Sequence, residues 1–262
     1  MDLGIRGKRA LVAASSRGLG RAVAEELAAE GCELFLCARG EEALEEARAA
    51  LAAGGATVHA RAVDLGEEGQ TRALVGAAIE TMGGVDILLT NTGGPPAGPY
   101  GDHDLEAWRR AYRLTLESVL VLVDGVLPGM RERRWGRILN VTSIAVKQPV
   151  DGLILSNSIR AAVTGFARTL ANEVAPYGVT VNNLMPGYTR TERLDELAER
   201  MAGGEHVDQA AIFDRWNAQI PMARVGEPRE FGAMAAFLAS DRASYITGQS
   251  VAVDGGWIRG LL

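Results

Sequence analysis

Ser156 and Arg160 stand four residues apart in Ser156-Asn157-Ser158-Ile159-Arg160, a stretch continuous with the helical run from Ala161 to Phe166. In an α-helix positions i and i+4 share a face, so both side chains project toward whatever that face lines. A serine hydroxyl donates a hydrogen bond but is a far weaker acid than a phenol, whose ordinary pKa is about 10. An arginine supplies fixed positive charge and does not release its proton. The pair therefore suits stabilisation of developing negative charge and not a proton relay. Of the 27 basic residues only Lys8 and Lys147 are lysines, so a titratable amine has almost no source. His59, His103 and His206 show no metal-like or triad-like spacing, and no metal site is expected. Cys32 and Cys37 lie near one apolar run and read as reduced core thiols.

Positioning such a pair needs a scaffold, and hydrophobic periodicity supplies its outline. Apolar runs over 8–14, 33–38, 56–63, 85–90, 136–141, 179–184 and 250–253 predict strands. Helical patterns over 21–30, 41–53, 67–82, 104–130 and 228–240, and one carrying Ser156 and Arg160, alternate with them. Strands that are apolar throughout and separated by helices indicate an α/β fold: a Rossmann-type doubly wound parallel sheet of about seven strands, with helices on both faces. At 262 residues and 47% hydrophobic content, one domain over 1–262 is expected. The charged excursion over 189–220 is too long for a simple connection and reads as a substrate-covering lid.

Charge limits the function classes. A formal net charge of −6 and a pI near 5.3 leave no excess of positive charge for a polyphosphate backbone, so nucleic acid is not an expected partner. No stretch approaches the roughly 18 apolar residues of a membrane span, and Met1 to Arg9 has no apolar leader core. A cytoplasmic protein acting on a small molecule is the expectation.

A glycine-containing turn between the first strand and first helix lets backbone N–H groups face a pyrophosphate. The residues there, Ala13-Ala14-Ser15-Ser16-Arg17-Gly18-Leu19-Gly20, are similar to the Thr-Gly-x-x-x-Gly-x-Gly of the short-chain dehydrogenase/reductase family, with Ala13 and Ala14 in the Thr and first Gly places. Asp64-Leu65, Thr90-Asn91-Thr92-Gly93, Asn140-Val141-Thr142-Ser143, Pro186-Gly187, Ile246-Thr247-Gly248-Gln249 and Asp254-Gly255-Gly256 continue that resemblance in the right order over nearly the whole chain. It implies a cofactor site of Ala14, Ser16, Arg17, Gly18, Leu19, Gly20, Arg39, Asp64, Leu65, Asn91, Gly93, Arg160, Pro186, Gly187, Thr189 and Thr191. At the end of the second strand, where an acidic residue would bind a free ribose 2′-hydroxyl, stand Ala38 and then Arg39. With Arg17 in the turn, this charge favours NADP(H) over NAD(H).

The resemblance also fixes what is missing. The family's Tyr falls at Ser156, its Lys at Arg160 and its Asn at Thr115, so among these places only Ser143 matches. Members similar to peroxisomal-type trans-2-enoyl-CoA reductases carry Ser and Arg at these two places, and the chain also resembles 3-oxoacyl-ACP reductase-like members. That implies a reductase of an enoyl or oxo substrate, acyl thioesters included, with Ser143, Ser156 and Arg160 as donors or fixed charge. Tyr188, after Pro186-Gly187, is an outside candidate for a phenolic donor; the competing reading is a ring that packs over the cofactor. The alternative function is a catalytically inactive NADP(H)-binding protein with a regulatory or assembly role. The resemblance implies a homo-oligomer, tetramer or dimer, and Trp257-Ile258 with Leu261-Leu262 is expected to form a buried end.

Overall fold

A computed structural model describes residues 2–261. Seven strands form one sheet: β1 (Arg9–Val12), β2 (Glu33–Ala38), β3 (Val58–Ala62), β4 (Ile87–Thr90), β5 (Gly136–Val141), β6 (Val179–Pro186) and β7 (Ser250–Val253). Their order is β3-β2-β1-β4-β5-β6-β7, and every pairing is parallel. The alternation of side chains along each strand divides the core into two layers. Ala10, Val12, Leu34, Leu36, Ile87 and Leu89 face one side, under α1 (Gly18–Ala29), α2 (Glu41–Ala53) and α9 (Pro228–Ala239). Leu11, Phe35, Leu88, Ile138 and Val181 face the other, under α3 (Glu68–Met82), α5 (Ser118–Arg133) and α6 (Ile154–Val174). This is the doubly wound arrangement expected.

Strand order reverses between β1 and β4, the neighbours at the centre of the sheet. All strands run the same way, so the loops after β1, β2, β3, β4, β5 and β6 collect along one edge, with a crevice at the reversal. That edge is where the chemistry-bearing residues gather.

Some expected boundaries change. The single helix expected over 104–130 is α4 (Leu105–Tyr112), a π-helical turn Arg113–Glu117, and α5. Hydrophobic period does not register one extra residue in a turn, and such π insertions cluster at functional sites. Here the turn contains Thr115, which is 2% exposed and whose Oγ1 has no hydrogen-bond partner. The excursion over 189–220 is α7 (Glu192–Glu205) followed by α8 (Gln209–Gln219). Thr191 caps the first by accepting from Leu194 N, and Asp208 caps the second by accepting from Ala210 N. Leu194, Ala198, Ala202, Ile212 and Trp216 of these helices form a separate apolar cluster with Ile144, Met185 and Trp257. At the C-terminus Trp257 is buried within the chain, whereas Leu261 is fully exposed on it; Leu262 lies outside the described residues. Both cysteines are buried and unpaired, and burial pushes each thiol up to about 12. Among the described residues no helix is long and apolar enough to cross a membrane.

Candidate active site

The glycine turn is built by close backbone approach. Gly18 has φ +60°, and Ala14, in the place of the family's first glycine, has φ +48°. A Cβ on Gly20 would stand 2.2 Å from the carbonyl oxygen of Ala14, so only glycine lets α1 begin this close to the end of β1. Ser15, fully buried, donates from Oγ to Val12 O at 2.8 Å and accepts from Cys37 N at 3.2 Å, which ties the turn to β2. No side chain caps the N-terminus of α1, so its first-turn N–H groups point into the crevice without a side-chain acceptor. Asn91 donates to Ala14 O at 3.3 Å and links the loop after β4 to this turn.

The other expected cofactor residues lie along the same edge. Ser16 and Leu19 are half-buried in and after the turn, and Arg39 is exposed at the end of β2, where a 2′-phosphate would be met. Asp64 caps its own loop by accepting from Gly66 N at 2.8 Å, beside buried Leu65. Gly93 is exposed in the loop after β4. A Cβ on Gly187 would lie 2.7 Å from Asp254 Cα, which fixes the Pro186-Gly187 bend against the chain beyond β7. Thr189 is 7% exposed and donates to Gly187 O, and the Thr191 methyl lies 3.6 Å from where a Cβ on Gly18 would be. Arg17 forms an ion pair with Glu192 at the start of α7, so in this state it reaches the excursion instead of the end of β2.

These features fit a dinucleotide: an uncapped helix N-terminus for a pyrophosphate, glycines where a Cβ would fill the cradle, and an exposed guanidinium directly after Ala38, which holds the acidic residue's place.

At the chemical end, Arg160 is 9% exposed and donates from Nη1 to Val141 O at 2.5 Å. That bond carries the guanidinium from α6 to the last residue of β5, two residues before Ser143. Ser143 accepts from Ala145 N at 3.1 Å, which fixes its extended backbone at the start of the following loop, and it keeps a hydroxyl to donate. Ser156 is half-buried in the first turn of α6. The bond from Gly98 N to Gly152 O at 2.6 Å pins the approach to that helix against the loop after β4. Burial, and to a lesser extent the charge of Arg193, lower the Arg160 pKa to about 10; it remains a cation at neutral pH. Ser143, Ser156 and Arg160 are thus on adjoining segments at one end of the sheet.

Tyr188 takes a different place. Its ring stacks on Trp216 with centroids 4.9 Å apart and meets Trp257 edge-on at 6.1 Å. Burial raises its pKa, which makes the phenol a poorer acid than usual. The ring thus packs among the aromatic side chains of the excursion and the C-terminal segment, a place that neither the phenolic-donor reading nor the cofactor-covering reading had given it. Lys147 and His206 are exposed.

Residue patterns alone missed two features. A buried polar ladder crosses the sheet: Thr90 donates to Asn140 at 2.8 Å, Asn140 to Asn183 at 3.1 Å, and Asn183 to Ser250 at 3.0 Å. Arg193, in the first turn of α7, donates to Pro95 O at 2.9 Å across the crevice. The polar residues inside apolar strands were a readable signal for the ladder; Arg193 had none.

Comparison with known proteins places the chain in a class. A family model described as enoyl-(acyl carrier protein) reductase matches residues 13–258, and the chain belongs to the short-chain dehydrogenase/reductase family. The 3-oxoacyl-[acyl-carrier-protein] reductase of Vibrio cholerae is 34% identical over 97% of this chain and 98% of its own length. Dehydrogenase/reductase SDR family member 4 of Oryctolagus cuniculus is 33% identical over 95% of this chain and 93% of its own. The crystal structure of L-sorbose reductase from Gluconobacter frateurii, complexed with NADPH and L-sorbose, superposes with a TM-score of 0.95 at 33% identity and covers all of both chains.

Proposed function

We propose that the protein is an NADP(H)-dependent reductase that acts on an oxo or enoyl substrate through altered catalytic residues. The observation that carries this reading is Arg160, anchored on Val141 beside Ser143 and one turn from Ser156, on the same sheet edge as an uncapped, glycine-lined cradle. The solved relative that holds NADPH, together with Ala38 in the acidic place and Arg39 after it, supports the cofactor choice. Arg39 and, once exchanged from Glu192, Arg17 would hold the 2′-phosphate. When bound, NADPH supplies a hydride equivalent.

As a carbonyl or conjugated alkene accepts that hydride, electrons move onto oxygen. Ser143 and Ser156 donate hydrogen bonds to the developing oxyanion, and Arg160 supplies fixed positive charge beside it. Neither serine is acidic enough to give up its proton, so the proton that completes the product comes from solvent. The segment 189–220 acts as the cover over this site, with its inner face held by the Tyr188–Trp216 stack. The chain works in the cytoplasm as a homodimer or homotetramer.

The test is NADPH oxidation followed by absorbance, with a panel of 3-oxoacyl and trans-2-enoyl thioesters, ketoses and oxo acids. Turnover is expected with at least one class, and Ser143→Ala and Arg160→Met are each expected to lower kcat by about 100-fold or more, the usual loss for one oxyanion donor. NADPH binding without turnover across the panel would instead support a non-catalytic nucleotide-binding protein, and equal use of NADH would remove the cofactor assignment.

A further inference from the structure

Arg193 has no part in the chemistry above. It stands two residues after Thr191, and its bond to Pro95 O carries its guanidinium to the loop after β4. There it meets Arg160. A Cβ built on Gly94 would lie 3.2 Å from Nη2 of Arg193 and 3.3 Å from Nη2 of Arg160, so two guanidinium groups from different elements converge on one glycine. Arg160 is buried. Arg193 is an exposed residue, but desolvation of its guanidinium still lowers its pKa, opposed by the charge of Glu196 and helped by that of Arg200.

Like charges brought together with partial loss of water cost free energy unless something compensates them. Within the chain Glu196 offsets part of this on Arg193 through its charge, without an ion-pair contact. The two acidic side chains in the first turn of α7 are used elsewhere, Glu192 by Arg17 and Asp195 by Arg190. Among the described residues neither Arg160 nor Arg193 forms an ion pair with a carboxylate, and each guanidinium has one recorded hydrogen bond, to a backbone carbonyl, out of five N–H donors.

We propose that Arg160 and Arg193 form a clamp for a carboxylate of the substrate, so that the preferred substrate is an oxo or enoyl acid with a free carboxyl group. This rests on the reductase reading and narrows its substrate class. The planar guanidinium fork matches a carboxylate in a bidentate manner, and two forks from different elements fix its orientation. The position favours substrate over cofactor phosphates: the 2′-phosphate is met at Arg39 and the pyrophosphate at the start of α1, whereas this pair sits at the Ser143 and Ser156 end. An acid anchored there presents its carbonyl or alkene to the serine hydroxyls. The contrary reading is that the two arginines only brace the loop after β4 through Pro95.

Isothermal titration of the NADP+-saturated protein with phenylpyruvate and trans-cinnamate, each against its methyl ester, separates the two. At least one acid is expected to bind about 10-fold or more tighter than its ester, the scale of a charge-assisted pair. Arg193→Met is expected to abolish that difference, Arg193→Lys to keep part of it, and both to change the NADP+ dissociation constant by less than about twofold; circular dichroism checks that both variants fold. Acids and esters binding alike, or no acid binding at all, overturns the clamp. So does an Arg193→Met loss of NADP+ affinity as large as the loss for acid, because the anion is then the cofactor's own phosphate. Acid binding without any NADPH oxidation keeps the clamp and overturns the reductase reading; oxidation with neutral carbonyl compounds that Arg193→Met leaves unchanged, with acids and esters bound alike, does the reverse.

Discussion

At the scale of single residues the cofactor turn carries a defined strain. Ala14 occupies left-handed backbone space at φ +48°, where its Cβ crowds the following carbonyl. That conformation costs about 1–2 kcal/mol for a residue with a side chain, whereas a glycine there brings about 0.4–1 kcal/mol of extra unfolded-chain entropy. Ala14→Gly is therefore expected to stabilise the protein by about 0.5–1 kcal/mol, read as a higher urea midpoint at unchanged slope. A lower midpoint would show that the turn is not strained. Gly20 stands at the opposite extreme, because the atom a side chain would strike is backbone, Ala14 O at 2.2 Å, and cannot swing aside. The same scale bears on the two places where the resemblance puts a Tyr and a Lys. Ser156 and Arg160 keep hydrogen bonding and charge but not the means to move a proton.

At the scale of elements the opposite end of the sheet is held by charge. Arg9 of β1 forks onto Asp86, just before β4, from Nε and Nη2 at 2.7 Å each and donates again from its backbone N at 3.2 Å, and Arg133 at the end of α5 adds a bond at 3.1 Å. Burial pushes the Asp86 carboxyl up, but the hydrogen bonds from Arg9 and the charges of Arg9 and Arg133 outweigh it and hold the pKa below the ordinary carboxylate value. A depressed carboxyl pKa contributes stability that is present above the unfolded value of about 3.9 and is lost as pH falls through the folded value. Asp86→Asn is expected to destabilise by about 1–3 kcal/mol near neutrality, below the loss for a fully buried pair because Arg9 and Arg133 are partly exposed. The gap between wild type and variant should shrink below about pH 4, followed as urea midpoints across pH. A gap that stays constant with pH would mean that the carboxylate charge is not what joins β1 to α5. By contrast, the Arg17–Glu192 pair joining the turn to α7 is exposed on both sides and contributes little to stability, so a phosphate can displace it at small cost.

At the scale of the whole molecule the proposed cofactor site draws on segments that stability alone does not tie together. The turn after β1, the end of β2, the loop after β4, α6 and the start of α7 all border one crevice. A ligand that binds there only in the folded state stabilises by mass action, by about 2.7 kcal/mol at 100 times its dissociation constant. With about 2–4 °C per kcal/mol for chains approaching this length, NADPH is expected to raise the melting temperature by about 5–10 °C, and NADH at equal concentration by clearly less. A melting temperature that does not move with NADPH concentration would remove the cofactor reading.

Much of this was legible in the residues alone. The order and type of the elements follow from periods of two and 3.6 residues, which are local properties, so the seven strands and their alternation with helices were readable without coordinates. The glycine turn, Arg39 after β2 and the pairing of Ser156 with Arg160 on one helix face were readable for the same reason, because each depends on residue type at a place counted along the chain. The π turn at Thr115, the use of the Tyr188 ring in the excursion's packing and the meeting of Arg160 with Arg193 over Gly94 were not. Each depends on where distant segments cross and which way a side chain leans when they do, and only close packing in three dimensions decides that. Local pattern thus determined a nucleotide-binding sheet with unusual residues beside it, while tertiary structure decided which arginine stands opposite them.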